Sequence, residues 1–294
     1  MNNRLNLNSP IFKILLMFLS WRIALVVVSL FAIHFVSLAQ NDRYLGGGFI
    51  NYGISPQLFS WANFDGEHYL SISIFGYKNL QQAFFPVYPM LMSFFSGSNP
   101  VDLVSSLVNS TIVGLIISNV SFVLSLIFLW ELIKIDFSKK IAYLTIILLL
   151  LFPTSFYFGA VYNESLFLLL SVLSFYSARK GKWIFAGVFG AVASATRVFG
   201  IFLLPALLIE AWTQKINFSR MLWIFLIPFG LGVYMWYLNS TVGDPLAFYH
   251  FQVLVGEQHQ SGIITLPQVY FRYIKMLTTT PLANPIFQVV VLEF

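Results

Sequence analysis

One stretch of the sequence brings several chemically capable side chains close together. It reads Asp65-Gly-Glu67-His68-Tyr69. In a helix, Asp65, His68 and Tyr69 share a face, so a carboxylate, an imidazole and a phenol converge. A carboxylate on an aromatic surface facing the membrane loses solvation, and its pKa rises toward the range that suits a general base. A purely structural role also fits, in which Asn63 or Asp65 caps the helix and His68 is an interfacial polar residue.

A second polar stretch, Val161-Tyr-Asn-Glu-Ser165, lies between two apolar runs. If Glu164 faces the first stretch, its carboxylate can hydrogen-bond sugar hydroxyls. A purely structural role would also account for these residues, because Asn163 would cap the following helix and Glu164 would complement the positive end of its dipole. The spacing leaves both interpretations open.

Arg197 stands inside an apolar run, far from the clusters of basic residues. An arginine in such a place is costly unless it pairs with an anion or reaches the interface by snorkelling. A lipid-linked phosphate is one possible partner, since the guanidinium fork binds phosphate oxygens in bidentate fashion. A protein carboxylate is another. Arg22, in the first apolar run, is assigned a structural role.

The composition places these residues in a membrane protein. Hydrophobic side chains make up 58% of the 294 residues and charged ones 9%, whereas soluble proteins carry about 25% charged residues. The chain has no cysteine, which excludes disulfides, thiolate metal sites and a cysteine nucleophile. The basic residues form no clustered face, and no nucleotide-binding or metalloprotease motif occurs, so nucleic acid is not an expected partner.

The apolar runs predict an all-α, polytopic integral membrane protein with one domain. The first run, 11–39, is too long for a signal peptide and is interpreted as an uncleaved anchor. Further spans are predicted at 103–133, 141–160, 164–178, 183–196, 198–213 and 221–239, with the start of a truncated span at 285–294. With a cytoplasmic amino terminus, the basic clusters between these runs fall inside.

The run 183–212 allows two interpretations. As one tilted helix it would move Lys215 and Arg220 to the outer side; as two short helices meeting near Thr196 and Arg197 it keeps both in the cytoplasm. We favour two helices. Segments 40–102 and 243–284 are then exoplasmic, and the aromatic-rich first segment is predicted to form short helices in the membrane interface.

Taken together, these motifs resemble the GPI mannosyltransferase 2 (PIG-V) family. The resemblance rests on Asp65-Gly-Glu67-His68-Tyr69, Gly76-Tyr77 and Ala83-Phe-Phe-Pro86, in this order and spacing, with further matches at Tyr162-x-Glu164-Ser165-Leu166-Phe167 and at Arg197 with Gly200. It spans most of the chain, from about residue 18 to residue 252.

The resemblance implies a GT-C-type inverting glycosyltransferase that works on the exoplasmic side. Such an enzyme moves mannose from a polyprenyl-phosphate donor to a glycan or glycolipid acceptor and uses no metal or other cofactor. It implies that Asp65 is the catalytic base and that Arg197 lies near the donor phosphate. The remaining substrate-binding residues that it implies are Glu67, His68, Tyr69, Tyr162 and Glu164.

Two rival functions remain. A transporter or lipid flippase could use Arg22 and Arg197 to mark an anionic path. A non-catalytic scaffold could have kept the fold. Polar residues gathered in one long outer loop, with Asp65 and His68 intact and no internal repeat, favour the enzyme.

Overall fold

The computed structural model describes residues 9–35, 53–78, 80–97, 101–254 and 265–282, with single positions at Asn284, Phe287, Val290 and Val291. Every regular element within these ranges is helical, which confirms the predicted all-α class. In this part of the chain, three helices are long and apolar enough to cross a membrane, at Pro10–Ala32, Leu103–Ile133 and Phe218–Val242.

The longer helices are numbered in chain order: α1 Pro10–Phe35, α2 Asp65–Phe75, α3 Val87–Ser96, α4 Leu103–Ile133, α5 Lys139–Leu151, α6 Glu164–Arg179, α7 Trp183–Thr196, α8 Leu203–Thr213, α9 Ile227–Val242 and α10 Leu266–Thr279. Short helical turns lie between them at Pro56–Phe59, Ser60–Ala62, Gln81–Ala83, Ser155–Gly159, Val198–Phe202, Phe218–Met221, Leu222–Leu226, Ala247–His250 and Phe251–Val253.

One predicted span is longer than its helix. The run 141–160 corresponds to α5, which ends at Leu151, and Phe152 adopts an extended backbone. Pro153 follows, and a proline disfavours helical geometry in the residue before it and lacks an N–H group of its own. The chain then turns through Ser155–Gly159. Most of the predicted run 285–294 lies outside the described residues.

The run 183–212 forms two helices with a break at Arg197. There the backbone is extended, with φ −152° and ψ 144°, between α7 and the turn that leads into α8. The end of α8 returns to the end of α6, where Arg179 Nε lies 3.2 Å from Glu210 Oε1. Each helix is about 16–21 Å long at 1.5 Å per residue, which is shorter than a hydrocarbon core of about 30 Å.

Within the described residues, the helices pack around three apolar clusters. Helix α4 lies along α6, α6 along α7, and α7 along α9, while α2 and α3 pack against α4. Phe59, Tyr88, Met92 and Leu107 are fully buried at the junction of α3, α4 and the turn before α2. Because α2 follows directly on that turn, the core holds its first residues in a defined place.

Helix α7 approaches α9 and the turn Leu222–Leu226 before it so closely that two positions require glycine. A Cβ added at Gly230 would lie 1.8 Å from the carbonyl oxygen of Ala191, and one at Gly187 would lie 2.0 Å from that of Trp223. Ser194 reinforces this approach, since its hydroxyl donates to the carbonyl oxygen of Ile227 at 2.6 Å. Small residues at membrane helix interfaces allow such backbone contact.

We expect Gly230→Ala to destabilise the protein by about 1–3 kcal/mol, because the new methyl group overlaps backbone that cannot yield. Gly232→Ala is the matched control, since a Cβ there meets nothing within 4 Å and alanine favours a helix by about 1 kcal/mol over glycine. Thermal unfolding of the detergent-solubilised variants measures both effects. Equal melting temperatures would contradict the close approach of α7 and α9.

Candidate functional site

The two polar stretches of the sequence meet in the structure. The backbone N–H of Val161 donates to the carbonyl oxygen of Trp61 at 2.8 Å. The phenol of Tyr162 donates to the carbonyl oxygen of Asn63 at 2.8 Å. Gly66 completes the contact, because a Cβ there would lie 3.3 Å from the carbonyl oxygen of Val161. The start of α2 is therefore docked directly on the segment that precedes α6.

Buried hydroxyl groups on α3 and α4 hold in place the segment that precedes α6. Ser118 of α4 donates to the carbonyl oxygen of Tyr162 at 3.0 Å, and the phenol oxygen of Tyr88 lies 2.8 Å from the Ser118 hydroxyl. Ser118 was not among the candidates from sequence. Its signal was a set of hydroxyl residues within an otherwise apolar helix, namely Ser110, Thr111, Ser118, Ser121 and Ser125. Polar groups inside a membrane helix mark functional or supporting positions.

Arg197 pairs with a protein carboxylate. Its Nη1 group donates to Glu164 Oε1 and, at 3.1 Å, to Asn163 Oδ1. The amide of Asn163 in turn donates to the carbonyl oxygen of Thr196 at 2.9 Å. Asn163 occupies the N-cap position of α6, but its side chain makes no capping bond. The predicted capping role of Asn163 is therefore wrong, because its side chain is engaged by the end of α7.

The ion pair retains unused hydrogen-bonding capacity. A guanidinium has five N–H donors, and the side-chain bonds described for Arg197 use only its Nη1 group. Within the described residues, Glu164 Oε2 is buried and has no hydrogen-bond partner. The side chains remain 31% and 25% exposed, respectively. The pair can therefore accept further partners, an anion at Arg197 and a hydroxyl at Glu164.

Helix α2 begins without a side-chain cap. Its N-cap residue is Phe64, so the predicted capping by Asn63 or Asp65 is wrong. Phe64 has φ 55° and is 78% exposed. Such a backbone conformation in a non-glycine residue costs about 1–3 kcal/mol and clusters at functional sites. The strain holds an unshielded aromatic ring beside Asp65, whose carboxylate is not used to cap the helix.

The environment of Asp65 acts on its pKa in two opposite directions. Asp65 is solvent-exposed at the edge of the site, yet the surrounding protein removes enough water from the carboxylate to raise its pKa. The positive charge of Arg197 lowers that pKa and partly offsets the effect. Because desolvation is the larger influence, the net direction is upward, which suits a general base.

His68 and Tyr69 lie deeper than Asp65 along α2. The His68 ring stacks on Phe84 with 4.4 Å between ring centroids, and burial lowers its pKa, which favours the neutral imidazole. Tyr69 is buried and packs edge-on against Phe84 and Tyr88, at 5.5 and 5.2 Å. Glu67 is half-buried on the same helix. Solvent exposure thus decreases along this face of α2, from the exposed carboxylate of Asp65 to the buried phenol of Tyr69.

A large cavity lies along the other half of α2. This apolar cavity has a volume of about 790 Å³ and is bounded by α2, α3, α7 and α9. Its lining includes Ile72, Met90, Val233 and Ala195. Ala195 is two positions before Arg197 in the chain, so the α7 wall of the cavity includes residues close in sequence to that arginine. A cavity of this size and character accommodates part of a lipid-sized ligand.

Arg22, to which the sequence analysis assigned a structural role, packs against the turn before α2. Its guanidinium lies over the indole of Trp61, 4.0 Å from the ring centroid, which is a cation–π contact. Within the described residues, no cluster of three or more histidine and carboxylate side chains could hold a metal ion. The absence of a cofactor remains an expectation.

These features define a class: an all-helical integral membrane protein with a carboxylate and an arginine–glutamate pair at one end of its helix bundle. The chain belongs to the Mannosyltransferase (PIG-V) family, whose family model matches residues 8–224. This confirms the resemblance seen in the sequence motifs. Membrane mannosyltransferase activity is characteristic of the family.

Curated relatives agree with this assignment. GPI mannosyltransferase 2 from Cryptococcus neoformans var. neoformans serotype D, in strains JEC21 and B-3501A, is 32% identical over 156 residues. The matched region is 50% of this chain and 35% of each relative, so the chain spans about a third of their length. No solved structure matches the chain.

Proposed function

We propose that this protein is an inverting mannosyltransferase that uses a polyprenyl-phosphate mannose donor and a glycan or glycolipid acceptor. One observation carries the proposal. The positive charge of Arg197 acts on the Asp65 carboxylate and lowers its pKa, and Ala195, which lines the apolar cavity, is two residues before that arginine in the chain. An amphiphile with a phosphate head and a hydrocarbon chain matches a cation adjoining an apolar cavity.

In this mechanism Asp65 accepts the proton of an acceptor hydroxyl as its oxygen attacks the anomeric carbon of mannose. The bond from that carbon to the phosphate oxygen breaks, and the lipid phosphate leaves with the electron pair. Free N–H groups of Arg197 offset the charge that develops on the phosphate. Glu164 holds the guanidinium in place through one carboxylate oxygen. A single displacement inverts the anomeric configuration.

The remaining candidates complete the proposed site. Glu67 and Glu164 offer carboxylate oxygens to sugar hydroxyls, and neutral His68 offers a ring nitrogen. Tyr69 and Tyr162 position the start of α2 through the packing and hydrogen bonds described above. We place this site on the exoplasmic side, as the distribution of basic residues predicts. Membership of a transferase family weighs against the transporter and flippase alternatives.

A donor-specificity assay tests the proposal. Membranes containing the full chain are incubated with radiolabelled polyprenyl-phosphate mannose or GDP-mannose, together with octyl glycosides and membrane glycolipids as acceptors. We expect label to reach an acceptor from the lipid-linked donor only, and a β-linked donor to give an α-linked product by NMR. Radioactivity in the acceptor equal to that of a vector control, or transfer from GDP-mannose alone, would contradict the proposal that the donor is polyprenyl-phosphate mannose.

A further inference from the structure

A second cavity lies beside Asp65, away from the apolar cavity. It has a volume of about 320 Å³ and lies between α1, the turn before α2, and the chain from 156 to 162. We name it the aromatic cavity, because Trp61, Phe64, Phe156, Tyr157 and Tyr162 line it. Its size falls at the lower end of the range of about 300–1,000 Å³ that is typical of small-molecule sites.

Polar groups are interspersed among these rings. Ser29 and Ser60 line the cavity, and their hydroxyl oxygens lie 3.3 Å apart. Asn63 lines it as well, and its side-chain oxygen is buried without a hydrogen-bond partner in the described part of the chain. A buried polar atom of this kind is costly unless a ligand or water satisfies it. The cavity thus offers both aromatic faces and hydrogen-bonding groups.

This combination matches a sugar ring better than a lipid chain. A pyranose presents weakly positive C–H groups on its faces, which pack on the negative face of an aromatic ring. Its hydroxyl groups require donors and acceptors at the edge, which serines and an asparagine provide. The lining of the apolar cavity also contains serine and tyrosine side chains, but the aromatic cavity adds the buried side-chain oxygen of Asn63, and the two cavities share no lining residue.

We propose that the aromatic cavity binds the sugar of the acceptor that receives mannose. This inference rests on the proposed function. It assigns the second substrate of that reaction, the acceptor, to the aromatic cavity. Asn63 and Phe64 line the cavity and immediately precede Asp65 in the chain. A sugar held there lies next to the first residue of α2, so one of its hydroxyl groups can be brought to the Asp65 carboxylate in a defined orientation.

Trp61, which lines this subsite, is held in place by two contacts. Arg22 stacks on one face of its indole at 4.0 Å, and the carbonyl oxygen of Trp61 accepts the N–H of Val161 at 2.8 Å. Both contacts restrict the side chain and backbone before any ligand binds. A platform that is already ordered loses less entropy on binding than a mobile one.

A substitution on α1 tests the proposal without disturbing the core. Val28 lines the aromatic cavity and is otherwise exposed, so Val28→Trp fills the cavity with an indole. Val27→Trp is the matched control, since Val27 is also exposed on α1 but does not line the cavity. The probe is methyl α-D-mannopyranoside, observed by saturation-transfer NMR with the full-length, detergent-solubilised protein.

We expect saturation transfer to the sugar protons in wild type and Val27→Trp, and its loss in Val28→Trp. In the transfer assay, Val28→Trp raises the KM for the acceptor by about tenfold or more and leaves the KM for the donor unchanged. Retained saturation transfer in Val28→Trp, or none in wild type, would overturn the subsite. Sugar binding without any mannosyl transfer would instead overturn the proposed function and leave the subsite standing.

Discussion

Asp65→Asn is expected to lower the rate of mannosyl transfer by about 10²–10⁴-fold, the range that a general base contributes. The amide keeps the shape of the side chain but cannot accept the proton of the acceptor hydroxyl. Folding should be little affected, because Asp65 is exposed and makes no capping bond at α2. The measurement is transfer from polyprenyl-phosphate mannose at equal membrane abundance.

Asp102→Asn is the matched control for this substitution. Asp102 caps α4 by accepting the N–H of Ser105 at 3.2 Å, and asparagine caps a helix about as well as aspartate. Its transfer rate should equal that of wild type. If Asp65→Asn also transferred at the wild-type rate, the catalytic base would have to be sought among the other carboxylates of the site.

Substitution of Arg197 is expected to have the second large effect on transfer. A double substitution separates the contribution of Arg197 to stability from its contribution to catalysis. Arg197→Met leaves the Glu164 carboxylate partly buried without its cation, and should both destabilise the protein and reduce transfer to a low residual rate. Adding Glu164→Met removes the stranded charge, and replacing both members of such a pair by apolar residues is often neutral for stability. We expect the double variant to recover its melting temperature and abundance.

Transfer should nevertheless stay about 10²–10³-fold below wild type in the double variant, since the phosphate then lacks its electrostatic partner. Arg179→Met is the comparison at the other end of the bundle, where Arg179 pairs with Asp136 and Glu210. It should lower stability while leaving kcat unchanged. Full recovery of transfer in the Arg197→Met/Glu164→Met variant would show that the ion pair is structural only.

The pH dependence of the Arg197→Met single variant gives an additional readout. The charge of Arg197 lowers the pKa of Asp65. Its removal therefore raises that pKa, and a higher pH is needed to produce the carboxylate. The acid limb of the residual pH–rate profile should move to higher pH in Arg197→Met and remain in place in Arg197→Lys, which keeps the charge.

Much of the architecture could be predicted because it depends on local properties. A mean hydropathy of +0.80 and long apolar runs indicate membrane helices wherever the chain folds. The run 103–133 coincides with α4. The end of α5 at Leu151 was missed because the prediction followed the hydrophobic run past Pro153, although that proline is a local stop signal. The capping role of Asn163 was wrong because local spacing cannot show which distant group engages a side chain, here Thr196 and Arg197. Those of Asn63 and Asp65 were wrong because the helix begins with Phe64 at its N-cap position.

By itself, the sequence determined the all-helical membrane class, the family and the candidate residues, because hydrophobicity and motif order are properties of short segments. Only the tertiary structure decided how those residues combine. It paired Arg197 with Glu164, docked Trp61 on Val161, and formed two separate cavities, one along α2 and one at the turn that precedes it. Contacts of this kind join segments far apart in the chain and arise when packing α2, α6 and α7 together buries polar groups that then need one another.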